Sequence, residues 1–309
     1  MKGRLEYIDG LRGIAALLVL AQHTLEKIAP SLFQYVNFGR FGIVLFFLIS
    51  GFVIPFGTWR SLPDFARLRA LRLLPALWFS IALALLAKGG ASIETIAADM
   101  LMLARPLDVP TLNGAYWTLS YELAFYLVSA LLFSVGMLKS HRVIGALAIL
   151  LPLHALFSGD TRFVYHGCFA VGAMIRMAQE DRSALPWTFA AVVTLTMVSV
   201  LKGTGLNSEL FNDFSRRSST ALPIVAFVAV VLVKPRVPRV SLWLGKTSYS
   251  TYLLQGLFVG LMVPLIGVHP ALYVALVFAT TLGVAAGVYE YIERPFMEMG
   301  RKRRPIEAI

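Results

Sequence analysis

Apolar stretches of roughly 16 to 22 residues, separated by short polar breaks, recur along the whole chain, and that is the length a bilayer core demands of a helix. Ten are counted, at 11–29, 40–58, 73–88, 117–138, 142–158, 163–178, 186–203, 219–234, 248–266 and 270–292. With 58% hydrophobic and only 15% charged residues, the 309-residue chain is too apolar for a soluble domain. The expected fold is all-α, a polytopic membrane protein of about ten transmembrane helices. Lys2 and Arg4 precede an apolar run, as in a signal peptide, but Glu6, Asp9 and His23 interrupt it, so the first helix is read as retained.

Basic residues orient the bundle. With a cytoplasmic N-terminus, 20 of the 28 Lys and Arg fall in inner segments and 8 in outer ones, which predicts both termini in the cytoplasm. The net charge of +11 then needs no nucleic acid, because a basic face against anionic lipid accounts for it. Cys168 is the one cysteine, which excludes an intramolecular disulfide and a thiolate zinc cluster. The chain is expected to form a single domain over 1–309 without a fused soluble domain. The run IETIAADMLMLA, between the third and fourth spans, is too short to cross and is expected to lie at the interface.

The first span carries Arg12 near one end and His23 well inside. Eleven steps of about 100° come within roughly 20° of three turns, so both side chains leave one face, about 16 Å apart along the axis. Ionisable groups inside a membrane are costly and usually functional, whereas the simpler reading is a snorkelling arginine and a core imidazole. After the second span, WRSLPDFARLRALRLLP is read as a loop that sets Arg69 and Arg72 just before the third helix. They share a face and serve either as interfacial anchors or as a grip on an anionic cytoplasmic ligand.

Glu122 is the residue hardest to explain by packing. It lies below the interfacial Trp117 on a stripe with Thr118, Tyr126 and Ser129, and a carboxylate at helix depth needs a partner, a proton or a wet cavity. In the ninth span Ser248, Tyr252 and Gln255 form a second polar stripe. His154 and His166 are weaker candidates, and His141 and His269 are placed in loops. Glu290 and Arg294 read as an i,i+4 ion pair, with Pro295 as a helix stop.

Taken together, DGLRGIAALLVLAQH with Arg12 and His23, FFLISGF, the Arg69-x-x-Arg72 pair, WTLSYELAFY around Glu122, SYSTYLL, and ERPF at 293–296 resemble the acyltransferase 3 family over nearly the whole chain. The resemblance implies a bacterial inner-membrane O-acyltransferase with an acyl-CoA donor, acetyl-CoA being the expected one, bound from the cytoplasm. It implies an extracytoplasmic glycan or glycolipid acceptor, no metal, and essential roles for His23 and Arg12. Arg12, Arg69 and Arg72 would hold the CoA phosphates, His23 and Glu122 would do the proton chemistry, and Trp117, Tyr121, Tyr126, Tyr252 and Gln255 would line the substrate path. Many relatives carry histidine where this chain has Gln255, and an amide cannot shuttle a proton. The rival class is a proton-coupled transporter or flippase with His23 and Glu122 as relay, although the sequence shows no inverted repeat.

Overall fold

A computed structural model of the chain describes residues 5–57, 59–203 and 212–302, with side chains described up to residue 300. Every regular element among them is helical. In chain order these are α1 (Glu6–Leu25), α2 (Phe38–Val53), α3 (Leu62–Lys88), α4 (Ile93–Met100), α5 (Trp117–Ser134), α6 (His141–Ser158), α7 (Arg162–Glu180), α8 (Leu185–Lys202), α9 (Asp213–Val233), α10 (Arg239–Met262), α11 (Pro270–Val288) and α12 (Arg294–Lys302). Eight candidate spans are long and apolar enough to cross a membrane among the described residues. α1 and α7 are not among the eight, although each covers an expected span; α1 carries Glu6, Asp9 and Arg12. As expected, the run after the third span folds as a short helix, α4.

Helix boundaries follow local chemistry, and there the sequence reading needs three corrections. The expected loop holding Arg67, Arg69 and Arg72 is helical: Ser61 caps α3, its hydroxyl accepting the Asp64 N–H, and Pro63 fits the first turn, where its missing N–H costs nothing. Gly89, at φ 78°, ends α3 in the left-handed conformation that glycine adopts without strain. Pro295 does not stop the last helix. Residues Tyr289–Glu293 instead form a π-helical turn, whose wider winding accommodates a residue lacking an N–H, and α12 continues beyond it. His141 opens α6 and so is not a loop residue; His269 is non-helical as expected, in extended backbone just before α11, which it caps, its ring nitrogen accepting the Leu272 N–H at 3.2 Å.

The chain divides into two compact units, each of which takes part of α5 and part of α10. The first comprises residues 1–57 and 124–246. Its centre is the crossing of α2 and α7. A side chain on Gly51 would strike the Phe169 backbone and one on Gly172 the Leu48 carbonyl, so only glycine allows this approach. Phe47 and Phe169 lie 4.6 Å apart, and Phe125 stacks on Phe169 at 4.4 Å. α1 lies against α2, where Gly42 leaves room for Ala15 and Val19.

The second unit comprises residues 58–123 and 247–309. Here polar bonds hold the parts together, and Gly256 leaves room for the Asn113 side chain. Ser80 bonds the Tyr116 hydroxyl at 2.7 Å and donates to the Leu253 carbonyl at 3.2 Å. Asn113 donates to that same carbonyl at 2.7 Å. α12 packs on α3, with Arg67 donating to the Met299 carbonyl at 3.2 Å.

Candidate active site

Because α1 is unbroken from residue 6 to 25, the eleven-residue spacing holds in three dimensions, and Arg12 and His23 do share a face. Arg12 is partly exposed and lies 3.3 Å from Asp9, one turn earlier. His23 is exposed, two residues before the helix ends. Between them on that face, Ala16 and Val19 are buried, so the face is packed shut in its middle and accessible at both ionisable ends.

Arg69 and Arg72 stand on the same side of α3, both half-buried. Arg72 is deeply engaged within its own unit. Its Nη1 pairs with Glu293, whose side chain is wholly enclosed, and contacts the Met297 sulfur at 3.1 Å, while the guanidinium lies 5.5 Å from the Tyr249 ring centre. Ser250 donates to the other Glu293 oxygen, and Tyr249 donates to the Leu73 carbonyl at 3.1 Å. A guanidinium stacked on an aromatic and paired with a buried carboxylate is held in one geometry. Glu293 is the last residue of the π turn, which aims it, and such turns frequently mark functional positions.

Glu122 is half-buried on α5 in the second unit, five residues into the helix. Trp117 meets Tyr121 edge-on at 5.6 Å, and Tyr121 is buried. Tyr126, in the first unit, is buried as well, and so are Thr118 and Ser129 of the same stripe. Tyr252 is committed structurally, since its hydroxyl bonds Thr118 at 2.7 Å and donates to the Ala115 carbonyl at 3.0 Å. Gln255 is 1% exposed, and its side-chain oxygen has no hydrogen-bond partner. Glu290 and Arg294 form the expected ion pair at 2.6 Å, and Arg294 also reaches Glu298.

Sequence reasoning passed over a buried polar network in the segment before α5. Asp99, at the end of α4, accepts the Leu112 N–H at 2.7 Å, and Lys88 donates to the Leu112 carbonyl at 2.5 Å. Burial pushes the Asp99 carboxyl up to about 6, against that hydrogen bond and the nearby Lys88. The only signal in the sequence was two opposite charges bracketing an apolar run. Among the described residues, no group of three or more His, Cys, Asp or Glu is gathered that could hold a metal.

The chain belongs to the acyltransferase 3 family. The family model, described as an acyltransferase domain, matches residues 5–290. The protein is thus a multi-pass membrane acyltransferase. One relative, described as a candidate membrane-bound transacylase, BcsY of Komagataeibacter xylinus, is 27% identical over an alignment covering 99% of this chain and 86% of that one. The acyltransferase MdmB of Streptomyces mycarofaciens is 30% identical over 40% of this chain and 38% of its own. No solved structure matches.

Proposed function

We propose that the protein moves an acyl group, acetyl in the first instance, from cytoplasmic acyl-CoA to a hydroxyl of an extracytoplasmic glycan or glycolipid in the bacterial inner membrane. The observation that carries this reading is the exposed His23 aligned with Arg12 on α1 in a chain of this family. Transfer from a thioester to an alcohol needs a base for the hydroxyl proton and a donor for the charge that develops on the carbonyl oxygen. His23 is that base, since imidazole titrates near neutrality, or it attacks the thioester itself to form an acyl-imidazole. In either case the thiolate of CoA leaves and the hydroxyl proton is taken up by the imidazole. Glu122 is the carboxylate assigned to the same proton chemistry. Arg12, Arg69 and Arg72 hold the CoA phosphates at the inner face, and Trp117, Tyr121, Tyr126, Tyr252 and Gln255 belong to the substrate path.

Depth along α1 sets the sidedness. His23 stands about 16 Å beyond Arg12, past the midplane of a hydrocarbon core roughly 30 Å thick. The donor then enters from the cytoplasm, the acceptor from outside, and both termini are cytoplasmic. Sealed, oriented vesicles with acetyl-CoA on one face and an impermeant glycan on the other test this. Acylated glycan is expected with the two on opposite faces; product formed only when they share the cytoplasmic face overturns the reading.

A further inference from the structure

Arg40, one of the outer basic residues in the topology assignment, is buried. It sits in the first turn of α2, where its backbone N–H bonds the capping Asn37 side chain at 2.7 Å. The residue is 9% exposed, and its Nη1 has no hydrogen-bond partner among the described residues. Its guanidinium donates to the Tyr165 side chain of α7 and lies within electrostatic reach of Arg216 of α9, and the groups acting on it among the described residues include no carboxylate. The Arg216 cation pairs with Asp213 on its own helix. All of these residues belong to the first unit.

Elements around Arg40 are tightly fixed. Ser219 of α9 accepts the Asn37 N–H at 2.7 Å, and Gln22 of α1 accepts the Phe38 N–H at 3.0 Å. A side chain on Gly39 would meet the Gln22 Cγ at 3.2 Å, so the turn bearing Arg40 abuts the turn bearing His23. A guanidinium keeps its proton, and a buried cation needs a counter-charge. Among the described residues Arg40 has a neutral phenol and a second cation instead.

We propose that Arg40, with Tyr165 and Arg216, is a subsite for an oxyanion, a carboxylate or phosphate carried by the acyl acceptor, at the start of α2. The proposal rests on the acyltransferase reading and adds to it a substrate class, an acidic acceptor. The anion supplies the missing counter-charge, and a guanidinium fork binds carboxylate or phosphate through paired donors.

The test uses the purified full chain in detergent, with no acyl donor. Unfolding is followed by a thiol-reactive dye at Cys168, the sole cysteine, which is buried. Inorganic phosphate and glucuronate are titrated against matched sodium chloride and neutral glucose. Saturable stabilisation by phosphate or by glucuronate, but not by glucose, is expected, and the effective anion distinguishes a phosphoryl from a sugar carboxylate. Arg40→Gln weakens the response at least tenfold, and Arg40→Lys retains part of it. No saturable stabilisation of the wild type by either anion overturns the proposal, as does an unchanged affinity in Arg40→Gln. If Arg40→Gln does not fold, Arg216→Gln decides instead: a weakened response supports the subsite and an unchanged one overturns it. Thioester cleavage is measured separately, so failure here is distinguishable from failure of the acyltransferase reading.

Discussion

Replacing Glu293 by alanine removes the acceptor that holds both Arg72 and Ser250. The Glu293 side chain is 0% exposed and that of Arg72 22%, so the pair is buried on one side and reached by water on the other. Removing one partner of a fully buried pair costs about 3–5 kcal/mol, because the remaining charge is left uncompensated. Water at Arg72 and the persisting Tyr249 ring reduce this, and about 3 kcal/mol is expected, roughly a hundredfold in the unfolding equilibrium. The double variant Arg72→Met, Glu293→Leu leaves no orphaned charge and should lose less than Glu293→Ala alone, with a coupling energy of about 2 kcal/mol. Equilibrium unfolding in mixed micelles, read by far-ultraviolet circular dichroism and by dye labelling of Cys168, measures all three. A loss under about 1 kcal/mol in Glu293→Ala would refute the reasoning. Additive losses in the double variant would do so equally, by showing that the two residues do not act as a pair.

Three further outcomes are expected. His23→Ala and His23→Gln both abolish release of free CoA from acetyl-CoA while helicity and unfolding are unchanged; a folded variant that retains turnover would remove His23 from the chemistry. Lysine at both Arg69 and Arg72 keeps a cation opposite Glu293 and hence the fold, but without the fork acyl-CoA binding weakens about tenfold, and an unchanged affinity by calorimetry would return both residues to anchoring. Asp99 titrates higher folded, at about 6, than unfolded, so its protonated form stabilises the protein in acid and that contribution is lost as pH rises through 6. Discounted for screening by the Leu112 N–H and Lys88, about 2 kcal/mol is at stake. Asp99→Asn, which keeps an acceptor for the Leu112 N–H, should flatten the stability profile between about pH 4 and 6; an unaltered profile would count against the assignment.

Much of the site was legible because it depends on one helix at a time. The alignment of Arg12 with His23 follows from helical pitch and needs only that α1 be continuous, which it is. Glu122 was conspicuous because a carboxylate inside an apolar run has few innocent explanations. The arginine segment was misplaced as a loop for the complementary reason: hydropathy marks where a helix enters lipid, whereas Ser61 and Pro63 start α3 several residues earlier in polar surroundings. The polar stripe through Tyr252 was visible in the sequence, but the bonds of its hydroxyl to Thr118 and to the Ala115 carbonyl were not.

From sequence alone come the membrane class, the approximate course of the long helices and the face shared by Arg12 and His23, because hydrophobicity and helical period are local properties. Tertiary structure alone decided which charges are satisfied. Arg72 meets Glu293 across 221 residues of chain, and a π turn that no hydropathy pattern announces aims that carboxylate. Arg40 read as one more outer basic residue, yet the packing of α2 with its neighbours buries it without a counter-charge among the described residues. An ionisable side chain takes its meaning from its desolvation and its partners, and both are set by segments far away in sequence.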